Sequence, residues 1–308
     1  MNDEKFVFPT LSEEDFKLLW QLKHPSVEGE AILDALQSCA DHTTAAKFEA
    51  FDAGSTAAGE NVLLRFYDLA FEKVLRELAE TTPAPGSVVL WHLYNLGYVV
   101  KTPSACFAAD IHHRMAEKLL PFLDFIIVTH NHDDHYNLAL LNKMTEAEKP
   151  VVSNFFPNPF YTKASEWTYS MPGGITLRCG EADHNSRLRK FTMPVELICP
   201  TGDTACVIYS SGDCYSHECL APKSEAVDLY IIHPRCGMKP IEGVKKVNAR
   251  LTLVSHLLEM SHEIDLYRWP YAFGREVAES LQKINREACF PVWGQKIVWQ
   301  APGEVSFS

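Results

Sequence analysis

The run Phe125-Ile-Ile-Val-Thr-His130-Asn-His132-Asp-Asp134-His135 sets three imidazoles and two carboxylates directly behind an apolar stretch. Neutral imidazole and carboxylate are the ligands a borderline divalent cation such as zinc, iron or manganese takes, and both are available at neutral pH at little proton cost. The apolar residues would anchor a strand while the polar ones face a cleft. Three histidines and an acid at fixed places arise by chance in roughly three in a thousand chains of this composition. A His-rich surface loop is therefore the weaker reading, since a loop needs no such abrupt strand-to-histidine junction.

Positioning such a cluster takes a scaffold, and the chain has two textures. Residues 12 to about 80 read as helices, opening at Ser12 and Asp15, whose side chains can satisfy the free amides of a first turn. From Asn61 to about Ala79, Val62, Phe66, Leu69, Ala70, Val74 and Leu78 fall near one face. That face is expected to cover the molecule's own core. Thr81-Thr-Pro-Ala-Pro-Gly-Ser87 cannot continue a helix. The division it suggests is an N-terminal helical extension, 1–86, and a second region, 87–308. Beyond it come short runs rich in Val, Ile, Tyr and Phe: 88–93, 98–101, 106–109 and 125–129, then 195–199, 204–210, 229–233 and 251–255. Helical intervals at 113–120, 138–143 and 275–286 separate or follow them. The interleaving predicts an α/β fold with sheets inside and helices outside, the two strand groups forming the halves of a sandwich.

His130-x-His132-x-Asp134-His135 resembles the signature of the metallo-β-lactamase superfamily. The resemblance covers about residues 88 to 300 and implies a four-layer αββα sandwich with metals at one edge between the sheets. It also implies further ligands from downstream strand ends, matched in order by His184 in Ala182-Asp-His184, Asp213 in Ser211-Gly-Asp213 and His256 in Val254-Ser-His256. By that likeness His130, His132 and His184 would hold one metal, Asp134, His135 and His256 a second, and Asp213 would lie between them. Asp110 matches an aspartate that supports such sites from behind. Taken singly, His184 reads equally well as a loop histidine, Asp213 as a turn residue and His256 as a core histidine. The stretch His130 to Asn137, with His184-x-x-Arg187, looks most like the branch containing L-ascorbate-6-phosphate lactonase and N-acyl-phosphatidylethanolamine phospholipase D. That branch implies lactone or phosphodiester substrates. Arg187 would suit an anionic group of the substrate, or is a solvated surface arginine.

The implied chemistry is hydrolysis by a hydroxide bridging two divalent ions, zinc first with manganese or iron as alternatives, positioned by Asp134 and Asp213. His233, closing the strand 228–233, is expected to contact substrate or give a proton to the leaving group. Two other readings stay open: iron-dependent oxygen or sulfur chemistry on the same ligands, and a metal-stabilised binding module. With 40 acidic against 28 basic residues and a net charge of -12, a nucleic-acid partner is not expected. The partner is instead a small molecule, with an anionic one suited to Arg187, and self-association into a homo-oligomer is left open. Nine cysteines, an odd number without a Cys-x-x-Cys pair, read as reduced thiols of a cytoplasmic protein. The N-terminal residues do not read as a secretion signal, and no apolar stretch approaches membrane-span length.

Overall fold

The computed structural model describes residues 6–160, 166–262 and 267–308. Strand β1 (Ser87–His92) shows why the strands must be layered. All six of its residues are buried, with Val88 and Leu90 facing one apolar cluster and Val89 and Trp91 another. Side chains alternate along a strand, so apolar residues at every position require cover on both faces.

The first sheet adds β2 (Tyr98–Lys101), β3 (Cys106–Ala109), β4 (Phe125–Val128) and β5 (Val151–Ser153). The second contains β6 (Glu166–Ser170), β7 (Thr176–Gly180), β8 (Val195–Pro200), β9 (Ala205–Ser210), β10 (Val227–Ile232), β11 (Ala249–Val254) and β12 (Glu287–Cys289). The chain then returns to the first sheet through β13 (Lys296–Gln300) and β14 (Glu304–Phe307). The orders are β14-β13-β1-β2-β3-β4-β5 and β12-β11-β10-β9-β8-β7-β6. Pairing is parallel through β3-β4-β5 and through β9-β10-β11-β12, and antiparallel elsewhere.

The two sheets enclose one apolar cluster, including Phe107, Phe125, Leu229 and Leu253. Outside the first sheet lie α5 (Leu138–Glu146) and the C-terminal half of α4 (Val62–Glu80), which contributes Phe71, Val74 and Leu78. Outside the second lie α6 (Pro240–Val247) and α7 (Tyr271–Gln282), joined by α1 (Glu13–Gln21), α2 (Glu30–Asp41) and α3 (Ala45–Asp52) in one continuous cluster. The result is a four-layer αββα sandwich with added N-terminal helices. Ser12 and Asp15 form the reciprocal cap of α1, and the amphipathic face of α4 is buried.

Residues 86 and 87 mark where helices give way to strands, but packing crosses that point. Trp20 Nε1 donates to the Trp293 carbonyl at 2.7 Å, and Gln295 Nε2 to the Trp20 carbonyl at 3.1 Å. Two local expectations needed correction. Residues 113–120 supply only a short 3-10 turn, Ala116–Leu119. The last helix, expected at 275–286, spans Tyr271–Gln282, and Gly274 inside it has Leu257 packed where a Cβ would stand.

Candidate metal centre

In parallel strands the C-terminal ends line one edge, and loops leaving that edge converge. β3 delivers Asp110 there, β4 delivers His130 to His135, β9 delivers Asp213, β10 delivers His233 and β11 delivers His256. His184 arrives from the segment after β7. Ligand atoms of His130, His132, His184 and Asp213 lie within 4.8 Å of one another, as do those of Asp134, His135 and His256. A third such group is Asp213, His233 and His256. Asp213 ties the groups together: Oδ2 is 3.7 Å from His130 Nε2 and 3.8 Å from His256 Nε2, and Oδ1 is 3.6 Å from His135 Nε2.

The neighbours fix the rings. The Thr129 amide and hydroxyl both donate to Asp110 at 2.8 Å, so the hydroxyl oxygen is free to accept from His130 Nδ1 at 3.1 Å. That tautomer leaves His130 Nε2 with its lone pair towards the cluster. Asp110 Oδ2 stands 3.3 Å from His135 Nδ1, and Asn95 Nδ2 donates to Asp134 Oδ2 at 2.8 Å. Asn95, Asp110 and His256 all have positive φ, at 54°, 48° and 59°. Such backbone costs of order 1–2 kcal/mol per residue, and strain of this kind gathers at functional sites. Here the His256 amide is tied to the Asn95 carbonyl at 3.1 Å.

Burial opposes charge on every member, yet opposite charges decide the outcome for several. The carboxylates of Asp134, Asp213 and Asp110 raise His135 well above an ordinary imidazole despite its burial. Asp134 and Asp213, also buried, are held below the usual carboxylate range by the surrounding imidazoles. His130 is lowered, by burial first and then by His135. Asp213 Oδ1 is buried without a hydrogen-bond partner among the described residues. Imidazoles and carboxylates gathered around an orphaned carboxylate oxygen fit divalent metal ions.

The cluster opens into a cavity of about 470 Å³ whose wall includes His132, Asp134, His184, Asp213, His233 and His256. His233 Nδ1 accepts from the Arg235 amide at 3.1 Å, and its Nε2 is 4.0 Å from Asp213 Oδ2. Burial, with His256 stacked at 4.1 Å, pushes His233 down to about 3. Arg187 is exposed on the loop after His184, and Arg235, not Arg187, is the arginine of the cavity wall. The Arg235 guanidinium sits 4.7 Å from the Trp269 ring and 5.0 Å from that of Phe273. Arg235, Cys236 and His262 are wall residues to which sequence reasoning gave no role. Cys236 Sγ is 2.9 Å from His184 Nδ1. The one available signal was closeness in sequence to His233 and His256. A larger cavity of about 670 Å³ adjoins through Arg235 and Gly237 but lacks the donor set.

No protein-family model and no curated protein matches the sequence. Solved structures do. Igni18, a metallo hydrolase from the archaeon Ignicoccus hospitalis, is similar at TM-score 0.51 and 16% identity over 70% of this chain and 99% of its own. CmlA, a diiron β-hydroxylase from Streptomyces venezuelae, is similar at TM-score 0.50 and 12% identity over 71% of this chain and 55% of its own. YhfI from Bacillus subtilis, described as a metallo-β-lactamase fold protein, aligns at TM-score 0.48 and 15% identity over 70% of this chain and 99% of its own. At such identities likeness speaks for architecture alone. Layer order, sheet topology and the likeness to Igni18 and CmlA together give the chain the metallo-β-lactamase fold.

Proposed function

We propose that this chain is a metal-dependent hydrolase holding two divalent ions, zinc first with manganese or iron as alternatives. His130, His132 and His184 hold one, Asp134, His135 and His256 the other, and Asp213 lies between them. The observation that carries this reading is the reach of Asp213 to His130, His135 and His256, with Oδ1 buried and without a hydrogen-bond partner among the described residues.

Divalent ions bound at such a cluster acidify water and draw electron density from a carbonyl or phosphoryl oxygen. The side chains do the remaining work. Asp134, fixed by the Asn95 amide, and Asp213, whose Oδ1 has no hydrogen-bond partner among the described residues, accept hydrogens from an entering water and so orient its lone pair. His233 uses Nδ1 as an acceptor, so its hydrogen is on Nε2, ready to donate to an oxyanion forming on the substrate. Arg235, stacked on Trp269 and Phe273, presents its guanidinium to an anionic group, and Arg187 adds a cation farther out. The substrate class is a small anionic lactone, phosphodiester or related ester, as the resemblance of the histidine run implies.

Elemental analysis of the purified protein beside a His132→Ala, Asp213→Ala double variant tests this, with phosphodiesters, lactones and β-lactams offered to both. The native chain is expected to retain about two metals and turn over one class, and the variant to do neither. Failure of the native chain to hold metal under metal-replete conditions rejects the reading. Bound iron with oxygen-dependent turnover in place of hydrolysis moves it to oxidative chemistry.

A further inference from the structure

β11 runs through His256 into a segment that returns to the cavity wall. On it Glu259 is fully buried, 0% exposed, and accepts hydrogen bonds from several sides. Tyr94 OH donates at 2.9 Å, the Ser261 amide at 2.7 Å, the His262 amide at 2.9 Å, and the Ser261 hydroxyl as well. Its Oε2 meets His262 Nδ1 at 2.5 Å. Tyr94 OH in turn accepts from the Met260 amide at 2.5 Å. A buried carboxylate held by this many donors cannot move, and it fixes the ring it binds.

An imidazole that gives Nδ1–H to a carboxylate keeps Nε2 for other partners. His262 lines the same cavity as His132, Asp134, Asp213, His233 and His256. Its side chain is 44% exposed, so it exchanges protons with bulk water, unlike the buried imidazoles of His130, His135, His233 and His256. The bond from Glu259 raises its affinity for a proton against its partial burial, and Asp134 and Asp213 act in the same direction. His184, Tyr215, Arg235, Cys236 and Tyr267 are the other titratable groups on that wall. His233 cannot take the same part, because Nδ1 is already an acceptor and loss of the Nε2 hydrogen would leave an imidazolate.

We infer that His262 is the catalytic proton donor to the leaving group, with Glu259 as its positioning residue. This rests on the hydrolase reading above. As the bond from the carbonyl carbon or phosphorus to the leaving oxygen breaks, the electron pair stays on that oxygen, which takes the Nε2 proton. His262 is left a neutral imidazole with Nδ1–H still on Glu259, and water returns the proton before the next turnover.

A poor leaving group needs this proton and a good one does not. The test uses metal-loaded wild type and His262→Gln on matched carboxylate and phosphate esters that release either ethanol or p-nitrophenol. The variant should lose about 100-fold in kcat with ethanol leaving and less than about 3-fold with p-nitrophenol leaving, at unchanged metal content. Nitrogen NMR supplies a readout independent of turnover. The wild-type His262 ring should titrate above its ordinary 6.5, and Glu259→Gln should lower that midpoint. If that variant does not fold, the wild-type titration still decides. Equal losses on both leaving groups, no loss, or a wild-type midpoint at or below 6.5 overturns the inference while leaving the hydrolase reading intact. Wild type that binds metal but cleaves none of the esters overturns both.

Discussion

Asp213 reaches both halves of the cluster because the residue before it turns the chain. Gly212 has φ +51°, and a Cβ there would lie 2.7 Å from Thr192 Oγ1 and 3.2 Å from Thr129 Cβ. Gly212→Ala should therefore cost roughly 2–4 kcal/mol from left-handed strain plus overpacking and displace Asp213, lowering metal content. Gly54→Ala is the control: its φ is +74° but nothing lies within 4 Å, so it should cost only about 1 kcal/mol and leave metal content alone. Equal metal content in both variants would show that the Gly212 turn does not position Asp213. The run His130 to His135 was legible because its donors are dense in sequence. Asp213, His184 and His256 are single residues at the ends of separate strands, visible only through a family's order. Arg235, Cys236 and His262 were not legible as a wall, because no periodicity announces which loops meet over a cavity.

At the scale of elements, strands covered on both faces, such as β1 and β4, were readable as apolar runs. The short β5 and β14 were not, since their pairing comes from neighbours rather than from any pattern of their own. The N-terminal helices were readable as helices, but their tie to the site was hidden. Arg268, 4% exposed, supplies much of it. Its guanidinium donates to the Ala40 and Thr43 carbonyls around the end of α2 at 2.6 and 2.7 Å, and to those of Glu259, Met260 and His262 at 3.2, 3.1 and 2.7 Å. Arg268→Ala strands five buried or part-buried carbonyls at once. Each lost bond from a charged donor contributes about 1.5–3 kcal/mol, less where water enters the gap, so a total of at least about 3 kcal/mol is expected. Urea unfolding measures that loss, and amide exchange should show residues 256–262 opening ahead of the sheets. A variant as stable and as protected as wild type would mean that the helices do not hold this segment.

Over the whole molecule, acid sets the charged surface against the buried imidazoles. Protonating carboxylates on a chain of net charge -12 relieves self-repulsion, which favours the folded state as pH falls. His113 acts the other way. Stacked between Phe71 at 4.0 Å and Tyr67 at 4.2 Å, it is pushed down to about 3 by burial. Asp52 acts against this, but burial is the larger effect, and the neighbouring His112 and Arg114 act with it; Asp68, 3.8 Å from its Nε2, is held by Arg114. His92, likewise enclosed, is pushed down to about 4. In both cases the unfolded chain binds a proton near pH 6.5 that the folded chain refuses. Their contribution to stability is therefore complete above about pH 6.5 and is lost as pH falls towards about 4 and about 3, by up to about 1.4 kcal/mol per pH unit for each ring. His113→Phe keeps the ring stack and removes one titrating group, at the expense of the bond from the Met115 amide to Nδ1. Its urea-derived stability should start lower than wild type at pH 8 and fall less steeply between pH 6.5 and 4, so that the two curves converge. Curves that stay parallel through that window would show that His113 titrates normally in the folded protein, and that acid acts on the fold elsewhere.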